Sequence, residues 1–151
     1  MFSKGGFFFM VTNTIIKRYE KTDYNQVIDF IKEVTDLEEV NSHILEQSIL
    51  IKDDNRVWGM VSFEDFNNIG IIRYFIYNQQ VIPDLLVNMF FELYHSAKDK
   101  NVNQLVAIAS HPYATQLFSL LGFGEMKRTA PLKIPGIPES DDVKLMTIKF
   151  E

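Results

Sequence analysis

Residues 105–123, LVAIASHPYATQLFSLLGF, decide how the rest of the chain reads. Leu105 to Ala109 is a short continuous apolar run, the pattern of a buried strand. Pro112 then opens a helix at the position where its missing N–H costs nothing. Ala114, Leu117, Phe118 and Leu121 continue it at helical spacing, and Gly122 stops it.

Working upstream, Pro83 and Asp84 open a longer helix, with the aspartate suited to the positive end of the helix dipole. Its apolar stripe is Leu85, Leu86, Met89, Phe90, Leu93 and Tyr94, and it runs to about Lys100. Before it come three β-prone runs, Ser48 to Lys52, Arg56 to Glu64 and Ile69 to Tyr77. Asp53-Asp54-Asn55 and Asn67-Asn68 separate them as turns, which predicts a three-stranded antiparallel meander. Val57, Gly59, Val61 and Phe63 are expected on one side of its middle strand. Further upstream, Thr14 to Glu20 reads as a strand. Thr22 or Asp23 caps a helix through Val27, Ile28, Ile31 and Val34, and Leu37 to Leu45 reads as a shorter helix with an acidic face. Downstream, Gly124 to Thr129 and Val143 to Phe150 are strands joined by the proline-bearing loop Pro131 to Asp142. The order β-α-α-β-β-β-α-β-α-β-β predicts an α/β fold, a mixed sheet with helices on its faces.

The 151 residues suit a single domain, and 46% hydrophobic with 23% charged residues is a globular composition. The absence of cysteine removes disulfides, thiolate metal sites and cysteine nucleophiles. Fifteen basic against twenty acidic residues give a net charge of −5, without the basic footprint that nucleic acid requires. No segment has the run of uncharged apolar residues of a membrane span. His43, His95 and His111 are too scattered to suggest a metal site. Lys4-Gly5-Gly6 can be encoded by a ribosome-binding sequence, and the phenylalanine codons after it make a T-rich spacer before Met10. Residues 1–9 are therefore expected to be a translated leader, with 10–151 as the folded domain of a cytoplasmic bacterial protein.

This element order resembles the GNAT acyltransferase fold. The family commonly follows its fifth strand with a helix reading Asn-x-x-Ala-x-x-x-Tyr-x-x-x-Gly-Phe. Here Ala114, Gly122 and Phe123 fall in register, while His111 replaces the asparagine and Phe118 the tyrosine. The resemblance implies an N-acetyltransferase that moves an acyl group from acetyl-CoA or another acyl-CoA to an amine, on a small molecule or a peptide. GNAT enzymes carry a Gln/Arg-x-x-Gly-x-Gly/Ala loop whose backbone N–H groups hold the pyrophosphate of coenzyme A. Counted without gaps from Tyr77, those positions fall on Ile82, Pro83, Asp84, Leu85, Leu86 and Val87, and residues 76–88 contain no glycine.

The resemblance places Phe75, Tyr77, Ile82, Leu85, Leu86, Val87, His111 and Phe118 along the donor site. In the family the amine is deprotonated by a carboxylate or through water, and a tyrosine on the helix ending in Gly-Phe often protonates the leaving thiolate. Glu64, with Asp65 beside it, is the candidate base. Phe118 cannot donate a proton; Tyr113, on the same helix, is a substitute donor that faces elsewhere, and Tyr77, nearer the strand end where family ligands bind, is the other candidate catalytic residue. Tyr74 and Tyr77 are expected on opposite faces of their strand. Loss of the glycines and of the tyrosine supports a second reading, a non-catalytic GNAT-fold module that binds a ligand or a protein. Phe90-Phe91 and the loop at 131–138 suggest a homodimer.

Overall fold

The computed structural model describes residues 13–126 and 143–150. The expected leader and the loop from Pro131 to Asp142 lie outside the described residues. Among the described residues seven strands form one sheet in the order β1-β2-β3-β4-β5-β7-β6. They are β1 (Ile15–Arg18), β2 (Ile49–Lys52), β3 (Val57–Phe66), β4 (Ile69–Tyr77), β5 (Gln104–Ala109), β6 (Gly124–Glu125) and β7 (Lys144–Lys149). The helices are α1 (Tyr24–Val34), α2 (Ser42–Leu45), α3 (Pro83–Asp99) and α4 (Pro112–Leu120). β4 and β5 run parallel, whereas β1–β2, β2–β3, β5–β7 and β6–β7 are antiparallel. This is the expected mixed, mostly antiparallel sheet flanked by helices. The chain divides into two compact units: the part up to Phe63 with Arg73–Ser96, and Glu64–Ile72 with the part from Ala97 on.

In the first unit, α1 buries Val27, Phe30 and Ile31 against Leu45, Leu50, Val57 and Met60, with Tyr74 and Ile76 packed beside them. The buried stripe of α1 includes Phe30, while Val34 ends up 40% exposed. Thr35 terminates the helix: its N–H and its Oγ1 both donate to the Ile31 carbonyl, at 2.8 Å each. The helix expected over Leu37 to Leu45 shrinks to Ser42–Leu45. It starts there because the Asn41 side chain accepts the N–H groups of His43 and Ile44, the N-cap arrangement.

β3 corrects a second expectation. Ile51 pairs with Gly59 but Lys52 pairs with Val57, so Trp58 is one residue extra. Strand parity switches across that bulge, and Val57 joins Met60 against α1 rather than following Gly59, Val61 and Phe63. The bulge is fastened locally. Trp58 Nε1–H donates to Asp53 Oδ2 at 2.8 Å, and the Arg56 guanidinium lies 4.3 Å from the indole centroid.

In the second unit, Asn67 and Asn68 take φ of 47° and 72°, the left-handed pair of a tight hairpin turn, which asparagine tolerates better than most residues. β5 pairs along its whole length with β7, from Gln104↔Lys149 to Ala109↔Lys144. α4 ends in a Schellman arrangement around Gly122 at φ +99°. Gly122 N–H donates to Ser119 O and Phe123 N–H to Phe118 O, while the rings of Phe118 and Phe123 meet edge-on at 5.2 Å. The Gly-Phe ending thus has a local cause: glycine supplies the left-handed residue, and the next ring covers the helix end. α3 closes in the same way, with Asn101 at φ 62° and Val102 N–H donating to Ala97 O. Of the strand expected over Gly124 to Thr129, β6 covers the first two residues, and those from 127 on lie outside the described chain.

Candidate functional site

The sequence-derived candidates of the first unit concentrate where β4 runs into α3. Within β4, Tyr74 sits at φ +49°, a left-handed conformation that costs a bulky residue of order 1–3 kcal/mol. Two contacts hold it: its ring packs on the α1 core, and its hydroxyl accepts the Asn41 N–H at 2.9 Å. The other face of the strand carries Phe75 and Tyr77, whose ring centroids lie 5.2 Å apart. Phe75 meets Phe90 of α3 edge-on at 5.0 Å, which aligns the helix on the strand. Tyr77 covers Gly59, where a Cβ would lie 3.4 Å from the tyrosine Cβ and 3.2 Å from Ile51 Cδ1. Tyr74 and Tyr77 therefore occupy opposite faces, and Tyr77 is the more open, at 37% exposure.

After Tyr77 the chain closes on itself. Asn78 N–H donates to the Trp58 carbonyl at 2.8 Å, ending the strand. Asn78 Oδ1 then accepts Gln80 N–H at 2.8 Å and the Asn78 carbonyl accepts Val81 N–H at 3.0 Å, an Asx-type turn. Leu85 N–H donates to Ile82 O at 3.0 Å, and Pro83 has no N–H. Between Asn78 and Leu85 the other amides belong to Gln79, Ile82 and Asp84, no two of them consecutive, and Leu86 and Val87 already lie within α3. A phosphate cradle needs successive N–H groups pointing into one concavity. This segment does not supply one, and the Asp84 side chain is exposed at the helix start. Leu86 is buried, while Ile82, Leu85 and Val87 are half-buried and flank the turn. The residues present therefore do not fit the diphosphate of coenzyme A in the family's manner. Asn78 followed by the polar Gln79 and Gln80 after a strand is the sequence signal for the Asx turn.

The remaining candidates belong to the second unit. Glu64 and Asp65 lie on β3 shortly before the Asn67–Asn68 turn. His111 precedes α4 in extended conformation, and its carbonyl accepts Thr115 N–H at 3.2 Å. Phe118 is buried against Phe123, and Tyr113 is 84% exposed. Among the described residues no group of three His, Asp or Glu could hold a metal ion, and no helix is long and apolar enough to cross a membrane.

Sequence reasoning missed a groove in the first unit, about 470 Å³, lined by Tyr19, Lys21, Tyr24, Asn25, Ser42, Leu45 and Glu46. Burial, then the charge of Asp23, pushes the Tyr19 phenol above its usual pKa. Next to it is a polar corner built on Asp23. Asp23, its side chain 4% exposed, accepts Lys17 Nζ at 2.9 Å, Lys52 Nζ at 3.2 Å and the Glu20 N–H at 2.9 Å. Burial alone would raise the pKa of Asp23; the Lys17, Glu20 and Lys52 hydrogen bonds outweigh it and hold the carboxyl below its usual value.

No protein-family model matches the chain. No curated protein matches it either. Solved structures do. An acetyltransferase from Streptococcus agalactiae is 15% identical with a TM-score of 0.69, covering 92% of this chain and 99% of its own. An acetyltransferase of the GNAT family from Staphylococcus aureus is 14% identical with a TM-score of 0.66, over 91% of this chain and 99% of its own. N-acetylglutamate synthase from Neisseria gonorrhoeae, complexed with coenzyme A and L-arginine, is 12% identical with a TM-score of 0.66 over 91% of this chain. The chain spans about a third of that protein, 33% of its length. At these identities the likeness establishes the fold: this is a GNAT fold over nearly the whole chain.

Proposed function

We propose that this protein is an N-acyltransferase that passes an acyl group from a coenzyme A thioester to the amine of a small molecule or peptide. One observation carries the reading: the fold matches acetyltransferases over about nine-tenths of the chain, including a complex with coenzyme A and L-arginine. Tyr77, the more open of the two tyrosines on β4, is the proposed acid, and Glu64 the proposed base. A second reading has a specific observation in its favour. The self-closed turn at Asn78 and the missing glycines suit a GNAT-fold module that binds without transferring.

Thermal unfolding with and without coenzyme A tests the first reading. A ligand at a hundred times its Kd adds about 2.7 kcal/mol of stability, a clear rise in Tm. A rise, followed by thiol release from acetyl-CoA in the presence of an amine panel, supports the enzyme. A rise without thiol release moves the conclusion to the binding module. No rise at millimolar coenzyme A overturns the acyl-CoA reading.

A further inference from the structure

Two independent observations bear on which part of a donor this chain recognises. The first is the amide inventory at the start of α3: the N–H groups of Gln80, Val81 and Leu85 are engaged within the turn, and Pro83 has none. The second is charge. From Tyr74 to Ala97, through the end of β4, the turn and most of α3, the sequence contains neither lysine nor arginine, but does contain Asp84 and Glu92. Glu92 is paired with Arg18 of β1, so the uncompensated charge of the turn is Asp84, which is exposed. A diphosphate draws affinity from charge-assisted hydrogen bonds and from nearby cations. Here the helix dipole is already answered by a carboxylate, and no side chain of this stretch offers a cation.

We infer that the donor is recognised by its pantetheine thioester arm, with the diphosphate and nucleotide adding no affinity. The inference rests on the acyl-transfer reading and narrows it. The ligand class is a pantetheine thioester, and coenzyme A is one carrier of that arm among others.

The test is calorimetric titration of the full chain with coenzyme A, with pantetheine, and with adenosine 3′,5′-bisphosphate, at low and at physiological salt. The expected result is that coenzyme A and pantetheine bind within about threefold of each other, roughly 0.7 kcal/mol. The bisphosphate does not bind, and the affinity for coenzyme A does not fall as salt rises, because the stretch from Tyr74 to Ala97 offers the phosphates no lysine or arginine whose attraction salt could screen. Coenzyme A binding more than about threefold tighter than pantetheine, or an affinity for it that falls as salt rises, overturns the inference and leaves the acyl-transfer reading standing. Binding of neither coenzyme A nor pantetheine overturns the acyl-transfer reading and the inference with it.

Discussion

Asp23 stands just before α1, at its N-cap position, and Asp84 stands in the first turn of α3, each where a carboxylate suits the helix dipole. Their surroundings differ in every other respect. Asp23 is nearly sealed from solvent and gathers two lysines and a backbone N–H, tying β1, the turn after it and β2 into one corner. Asp84 is exposed, on a stretch without a basic residue, beside a turn whose amides bond to one another. The same residue type at the start of a helix is a fold anchor in one case and an obstacle to anions in the other. The distinction lies in what long-range pairing brings to it, since Lys17 and Lys52 reach Asp23 only because β1 pairs with β2.

The largest expected effect falls on the anchored aspartate. Asp23→Asn removes the charge that both lysines face and replaces an acceptor with a donor. The expected loss is about 3 kcal/mol, the low end for breaking a buried pair, because the lysines keep partial access to water. Urea unfolding measures it. A loss below about 1 kcal/mol would place Asp23 with ordinary surface carboxylates and erase the contrast.

The same group fixes a pH dependence. The folded pKa of Asp23 lies below its unfolded value. Its contribution is therefore complete above the unfolded pKa and is lost as pH falls through the folded one. Native stability should hold from neutral pH down to about pH 4 and then decline, whereas Asp23→Asn should start lower and decline less. Equal slopes for the two proteins below pH 4 would show that Asp23 is not the group responsible. Asp53 shares the direction, its burial outweighed by hydrogen bonds from Trp58, Asn55 and Arg56, and contributes to the slope that remains in the variant.

The intermediate case is Asp53 itself. Its Oδ1 accepts the N–H groups of Asn55 and Arg56, and its Oδ2 accepts Trp58 Nε1–H. An asparagine keeps one oxygen, so Asp53→Asn satisfies the turn but turns its amide N–H toward the indole N–H. About 1.5 kcal/mol should be lost. The emission of Trp58, the one tryptophan in the chain, should report the change. Unchanged emission would mean that the bulge at Trp58 is held by strand pairing alone.

What could be read from the sequence follows the range of each interaction. The Gly122-Phe123 ending, the Asn67-Asn68 turn and the buried face of α3 are set by residues within a turn or two of each other, and all were legible. The side of Val57 was not, because it depends on a bulge in the register against β2. Nor was the extended segment before α2, where the hydrogen bond from Asn41 to Tyr74 joins residues far apart in sequence. The absence of glycines after β4 was visible at once. That Asn78 ties up the Gln80 and Val81 N–H groups just ahead of those positions emerged only from the hydrogen bonds.

The smallest effect on stability, and the sharpest on ligand preference, belongs to Asp84. Asp84→Asn should change the unfolding free energy by less than about 1 kcal/mol, since it removes only an exposed charge from the helix dipole. On binding, the carboxylate acts on phosphates through solvent, where a like charge several ångströms away is weak and salt-screened. The variant should therefore bind coenzyme A about two- to threefold more tightly at low salt, with the gain vanishing at high salt. Pantetheine carries no charge for Asp84 to repel, so its affinity should not move. A gain for both ligands alike would mean the substitution reshaped the turn rather than its charge. Weaker coenzyme A binding in the variant would mean that Asp84 assists the donor, and the two aspartates would then differ in burial but not in kind.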